Sequence, residues 1–233
     1  MNRILFAFVS LFSLASCSYT SGSGNIVSET RSVDTFTGIS VGGSFDVEVR
    51  KGPVTEVRVE ADDNIMKYIE TSVSGNTLRI RTRDLHNYSD VTMKVFITTP
   101  ALTELRASAS AEIDIKDVLT GTGKLYFNAS SSGTINAEVD APEIETDASS
   151  GASIHLSGKT RTHSAEASSG ADIKTFDLLS ENTKANASSG ATVQVHASVS
   201  LKATASSGGN VEYRGAASVD RSVSSGGSVE RKD

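Results

Sequence analysis

The chain has 233 residues, with 28 acidic against 22 basic side chains, 8 Phe, 5 Tyr, no Trp and one Cys. That length holds one or two domains, and so few large aromatics argue against a bulky globular core. A single cysteine excludes an intrachain disulfide, and a mildly acidic chain without a basic run argues against nucleic acid as a partner.

The N-terminus opens with a positive charge at Arg3, followed by an apolar run over residues 4–14. The run is too short to span a bilayer and reads as a secretory signal. It ends in Leu14-Ala15-Ser16-Cys17. This resembles the lipobox of bacterial lipoproteins, in which lipid is attached to the cysteine. Residues 1–17 are therefore expected to be a signal peptide with Cys17 retained and lipidated, which would anchor the chain to a membrane. Residues 18–25 are Ser/Gly-rich and predict a flexible tether. No acidic cluster follows Cys17. The expected location is thus the bacterial cell envelope, at the outer membrane, with its periplasmic face favoured over the cell surface.

Residues 26–105 predict a β-rich N-terminal part. Phe45-Asp46-Val47-Glu48-Val49 alternates, Lys51-Gly52-Pro53 turns, and Val57-Arg58-Val59 alternates again. Asp62-Asp63-Asn64 predicts a helix cap followed by one or two helical turns. Ser74-Gly75-Asn76 predicts a hairpin turn into Leu78-Arg79-Ile80-Arg81, and Pro100 closes a last strand. This part is expected to cap the C-terminal half of the chain, because an open strand edge invites aggregation.

Residues 106–233 carry a repeat with starts at Ala107, Ala129, Ala148, Ala167, Ala187, Ala205 and Val223. Six places later stand Ile113, Ile135, Ile154, Ile173, Val193, Val211 and Val229, with Ser, Gly and Ala between. Self-similarity at this period means one supersecondary unit per repeat, stacked on its neighbours. Alternation on both sides of the Ser/Gly centre makes the unit strand–turn–strand. A coil returning to the same place in about 18–20 residues describes a parallel β-solenoid, with Ile154, Ile173 and Val193 in one interior row. The apolar-every-sixth pattern of a left-handed hexapeptide solenoid is absent. The charged tail Glu230-Arg231-Lys232-Asp233 would blunt the last edge, serve solubility, or do both.

The order of these segments resembles one known family. Phe36-Thr37-Gly38-Ile39 with Gly42-Gly43-Ser44-Phe45-Asp46-Val47-Glu48-Val49 is similar to its opening strand pair. The run Val95-Phe96-Ile97-Thr98-Thr99-Pro100-Ala101-Leu102-Thr103-Glu104-Leu105, with small-residue Ser/Gly repeats after it, is similar to the family's later segments. The family is that of the auto-transporter adhesin head GIN domain, a domain of unknown function. The resemblance covers about residues 33–229. It implies an all-β, single-stranded right-handed parallel β-helix of pectin-lyase-like shape with an N-terminal β-rich cap. It also implies an envelope lipoprotein with a role in adhesion, and it supplies no catalytic residues. Ala107-Ser108-Ala109-Ser110-Ala111 departs from the Ser-Gly-Ser-Gly common there.

Strand parity places Glu145, Asp147 and Glu166 on one outward face. Three carboxylates suit Ca²⁺ or another ligand, and paired carboxylates also serve glycosidases; a solvated acidic face is the simpler expectation. His86, His155, His163 and His196 lack zinc-ligand spacing. His163 falls in a slot that other coils fill with Leu125, Ile144 or Leu201, which predicts a buried histidine bonded to Ser or Thr. Ser149, Ser168 and Ser188 repeat at equal positions, unlike a unique nucleophile. No catalytic set, metal site or cofactor is expected. The expected function is a non-enzymatic adhesin-like or scaffold lipoprotein that meets polysaccharide or envelope protein. The alternative is a polysaccharide-binding module or a carbohydrate-active enzyme.

Overall fold

A computed structural model of the protein describes residues 19–83 and 87–233; the leader with Cys17, and His86, lie outside the described residues. Apart from one helical turn at Asp63–Met66, the regular elements are all β.

Each repeat folds as two strands joined by its Ser/Gly centre. On the first side, before the turn, Ala148, Ala167, Ala187, Ala205 and Val223 stack in parallel register. On the second side, after the turn, Ile135, Ile154, Ile173, Val193, Val211 and Val229 form one row, and every member is buried. This is the expected β-solenoid. A short third side pairs residues 119–120, 139–141, 158–160 and 178–180 from coil to coil.

The turns explain the repeat chemistry. Ser150 and Gly151 have φ of 54° and 69°, and the Ala152 amide donates to the Ser149 carbonyl at 3.3 Å. Two successive left-handed residues make a type I′ turn, which favours Gly. The next position is Ala or Gly in every repeat: Ala111, Ala152, Ala171 and Ala191 are buried there, and at Gly209 a Cβ would lie 2.5 Å from the Ala187 carbonyl carbon of the coil beneath, so that turn takes Gly. Coils are tied at the turns as well as along the strands, since the Gly151 amide donates to the Ser169 carbonyl at 3.1 Å.

The interior of the middle coils is partly polar. Thr146, Thr160, His163, Thr175, Ser180 and Thr183 are buried. Thr175 Oγ1 donates to the Gln194 carbonyl at 2.7 Å, and Ser180 and Thr183 bond each other at 2.6 Å and both lie within bonding reach of the His196 carbonyl. A narrow solenoid brings backbone carbonyls within reach of inward hydroxyls, so these hydroxyls are buried without being left unsatisfied, whereas His163 Nδ1 has no partner.

The solenoid register reaches further towards the N-terminus than the sequence period shows. Val41 pairs with Ala107 and Val47 with Ile113, so residues 38–51 form a further coil with Gly42-Gly43-Ser44 at its turn. The chain then leaves the stack. It forms Glu56–Asp62, the helical turn, and the hairpin Ile69–Ser74 with Thr77–Thr82. It returns beneath its own first coil, with Thr77–Thr82 under Gly38–Gly42 and Met93–Thr99 under Asp46–Lys51. Antiparallel strands close this end: Ile69–Ser74 on the first side, and Glu56–Asp62 with Ile26–Arg31 on the second. Val57, Val59, Ile65, Leu78 and Ile80 fill the space beneath, which makes the expected cap.

Two local expectations change. The Asp62 side chain makes no bond to the helix it precedes; its carboxylate accepts from the amides of Gly24 at 2.7 Å and Thr92 at 2.8 Å. The segment expected as a free tether is held from Tyr19 onward. Tyr19–Ser21 pairs with Asn87–Ser89, and Ser23 Oγ donates to Asp63 at 2.6 Å. Composition predicts looseness, but three neighbouring acceptors in 62–64 supply partners that composition does not reveal.

At the far end, Ser218–Val223 and Ser228–Arg231 pair only with the coil before them among the described residues. Here Arg221 stands in the row that Ala165, Ala185 and Ala203 occupy in earlier coils, and it is exposed. A charge in an inward row blunts an open edge. Arg221→Val is expected to promote concentration-dependent self-association in sedimentation velocity runs in which the parent chain stays monodisperse.

Candidate functional site

Outward side chains on a solenoid are set in columns, with neighbours one strand spacing, about 4.8 Å, apart. The outward columns of the first side fall into three bands.

At the capped end lies a trough of about 500 Å³. Its floor is the strand Gly38–Gly42, whose outward residues are Gly38, Ser40 and Gly42. Its walls are the strands on either side. Ser40 pairs with Arg79 in one direction and Arg106 in the other, and Gly42 sits between Arg81 and Ser108. The walls stand close over Gly38, where a Cβ would lie 3.0 Å from Thr77 Oγ1 and 3.4 Å from Glu104 Oε2. Two of the arginines are tied: Arg106 pairs with Glu104, and Arg81 with Glu70 at 3.1 Å. Glu70 also accepts from Arg83, and chiefly that bond holds its carboxyl below the usual value. Arg79 is exposed and has no carboxylate partner among the described residues.

The second band is aromatic and acidic. Tyr126 is 42% exposed beside Glu104, and the Lys124 ammonium lies 5.2 Å from its ring. Lys124 also bridges Glu143 and Glu145, which hold its ammonium well above the usual lysine value, Glu143 first. Of the three carboxylates expected as a patch, Asp147 lies directly beside Glu166, and Glu145 is two residues away on the same face. The Asp147 carboxyl is raised, first by burial and then by the charges of Glu145 and Glu166. The Lys124 bridge occupies Glu145. No group of three or more His, Cys, Asp or Glu side chains among the described residues is placed to hold a metal ion. The third band carries Lys184 and Lys202 in one column.

The remaining histidines are scattered. His163 is buried in the interior, bonded to Thr146 as expected. His155 faces outward on the second side between Asn136 and Lys174, and burial, then Lys174, lower its pKa. His196 lies outward beside Arg214, whose guanidinium stacks over Phe176 at 4.3 Å. Among the described residues no serine hydroxyl is bonded to a histidine ring, so the repeated turn serines have no base to activate them.

Sequence reading places the acidic band correctly on one face but passes over the trough. Its signals were present: outward Gly38, Ser40 and Gly42 alternate in one segment, and Arg79, Arg81 and Arg83 alternate in another. Only strand pairing shows that the second segment is a wall for the first.

Several solved structures share this fold. An adhesin from Bacteroides fragilis, itself described as putative, is 18% identical, covers 91% of this chain and 98% of its own, and superposes with a TM-score of 0.82. One from Parabacteroides distasonis is 23% identical over 92% of this chain and 100% of its own, with a TM-score of 0.75. A second P. distasonis protein, described as a "putative lipid binding protein", is 20% identical over 93% of this chain and 100% of its own, with a TM-score of 0.74. No curated protein matches the chain. Residues 35–217 match the family model described as "Putative auto-transporter adhesin, head GIN domain", and on that span, which runs from the first coil to the edge of the last, the chain belongs to this family.

Proposed function

We propose that the chain is a non-catalytic, adhesin-like binding module of the bacterial cell envelope, anchored through lipid on Cys17 at the periplasmic side of the outer membrane. The observation that carries the binding role is the first-side face. It is a long, rigid surface with graded charge and an open trough, formed by a family member whose fold is shared with structures described as adhesins. A rigid strand face loses little entropy when it binds. The described residues form no helix long and apolar enough to cross a membrane, and the anchor rests on Leu14-Ala15-Ser16-Cys17.

Two measurements test the two halves. The full chain expressed in a bacterial host fractionates with membranes, and Cys17→Ala moves it to the soluble fraction. An unchanged membrane fraction for Cys17→Ala removes the anchor. Beads carrying the folded chain retain isolated cell-envelope polymer that heat-unfolded chain does not; equal retention by both removes the adhesin-like role.

A further inference from the structure

The geometry points to the trough over Gly38, Ser40 and Gly42 as a binding site for an anionic glycan segment, with Arg79 and Arg106 gripping a carboxylate or sulfate and Tyr126 supporting a sugar ring. This rests on the adhesin-like reading and names the ligand class for it.

The shape comes first. One strand with only Gly38, Ser40 and Gly42 facing outward, between strands with long side chains, leaves a gap a full strand wide. Arg79 and Arg106 rise from opposite walls on either side of Ser40. Their backbones are two strand spacings apart, about 10 Å, which leaves room for one sugar-sized unit between the guanidinium groups. Guanidinium forks match carboxylate and sulfate oxygens in a plane.

The charge agrees. Arg79, Arg81, Arg83 and Arg106 meet only Glu70 and Glu104 as paired carboxylates among the described residues, and Arg79 is the cation left without one. The lining favours a glycan over a lipid. It consists of Ser, Thr, Gly, Arg and Glu, and its one apolar member, Ile80 of the wall strand Thr77–Thr82, is buried. An acyl chain has nothing to lie against.

The neighbouring band limits the ligand's length and its charge spacing. Tyr126 stands one strand beyond Arg106's strand, two strand spacings from Gly38. Its exposed ring offers an apolar face to the C–H face of a pyranose. Beyond it lie Glu143, Glu145 and Asp147. These repel a uniformly charged polymer that continues along the face. The fit is therefore a chain with an anionic unit in the trough and a less charged unit at Tyr126, not a long polyanion.

The test is calorimetric titration of the full chain with tetrasaccharides of hyaluronate (carboxylate) and keratan sulfate (sulfate), in which an anionic unit alternates with a neutral one, using neutral dextran, inorganic phosphate and phosphatidylglycerol vesicles for comparison. The anionic oligosaccharides bind and neutral dextran does not. Arg79→Ala with Arg106→Ala weakens binding about tenfold or more, as removal of charge-assisted bonds requires. Ser40→Phe, which fills the trough, does the same. Lys159→Ala, on the third side, leaves affinity unchanged. All these positions are on the surface, and thermal unfolding verifies that the variants fold. Lack of binding to either anionic oligosaccharide, undiminished binding in the double variant, or preference for phosphate or vesicles overturns the assignment. A double variant that still retains envelope polymer on beads overturns this site while the adhesin-like role stands. A parent chain that retains no polymer overturns that role, and the calorimetry still decides the trough.

Discussion

Gly158→Ala is expected to be the most damaging single-methyl substitution in the solenoid. Gly158 lies mid-strand where the second side bends into the third, with φ of 110°. A Cβ there would sit 2.1 Å from the Val139 carbonyl oxygen of the coil beneath. The φ value alone is one that L-residues avoid, at about 1–3 kcal/mol. The clash with backbone adds to this, because the Val139 carbonyl belongs to a paired strand and cannot swing aside. A loss of at least about 3 kcal/mol is expected in denaturant unfolding. Gly215, with φ of 103° and a Cβ position 2.0 Å from the Ala197 carbonyl oxygen, occupies the equivalent corner later in the stack. Gly151 is the contrast. Its φ is 69°, but its Cβ position is open apart from Ser132 Oγ at 3.8 Å, so Gly151→Ala costs only about 1 kcal/mol. A Gly158→Ala chain within about 1 kcal/mol of its parent would contradict this account of the corner.

Acid destabilisation through His163 is the second large effect. The ring is fully buried, and burial lowers its pKa from 6.5 to about 4. Thr146 Oγ1 lies 3.0 Å from Nε2, and its hydroxyl is also within reach of the Ser164 carbonyl at 3.4 Å. Nε2 is thus bonded to the hydroxyl, and Nδ1 is buried without a partner. Adding a proton would bury a charge with no acidic partner. The folded state therefore stays neutral where the unfolded state takes up a proton. Stability is fully present above about pH 6.5, falls as the pH drops from about 6.5 to about 4, and levels off below that, for a loss of about 3 kcal/mol. Glu70, Glu212 and Asp63, whose pKa values are lowered, lose their contributions at the acid end of that range and below it. His155, also lowered, acts in the same direction as His163, and the raised Asp147 acts against them. The double variant His163→Leu, Thr146→Val isolates the buried ring. Leu suits a row that holds Leu201 two coils away, and Val removes the orphaned hydroxyl. Denaturant midpoints from pH 7 to 4.5 are expected to fall steeply in the parent and much less in the double variant; equal slopes would remove His163 as the cause.

The repeated coils were legible because a stacked parallel strand demands the same small or β-branched residue at the same place in each coil. Ile154, Ile173 and Val193 share the interior row that their spacing predicts. The coil at residues 38–51 was not legible. The excursion through residues 52–100 separates it from its neighbour, so it shows no period even though Val41 and Val47 stand in register. The tie of residues 19–25 to the cap is hidden from composition for a related reason. Ser/Gly composition reports the entropy of a free chain, but the buried Asp62, the exposed Asp63 and the half-buried Asn64 supply hydrogen bonds that outweigh it.

By itself, the order of residues determined that the repeat region is a β-solenoid and which of its side chains face inward, since alternation and period are local properties. Tertiary structure alone decided where the cap strands lie, that the Val139 carbonyl fills the place a Cβ on Gly158 would take, and that Arg79 and Arg106 flank Ser40. Those facts depend on which strand lies beside which. Along the capped end, strand order in space departs from strand order in the chain, because residues 77–99 fold back beneath residues 38–51 before the stack goes on.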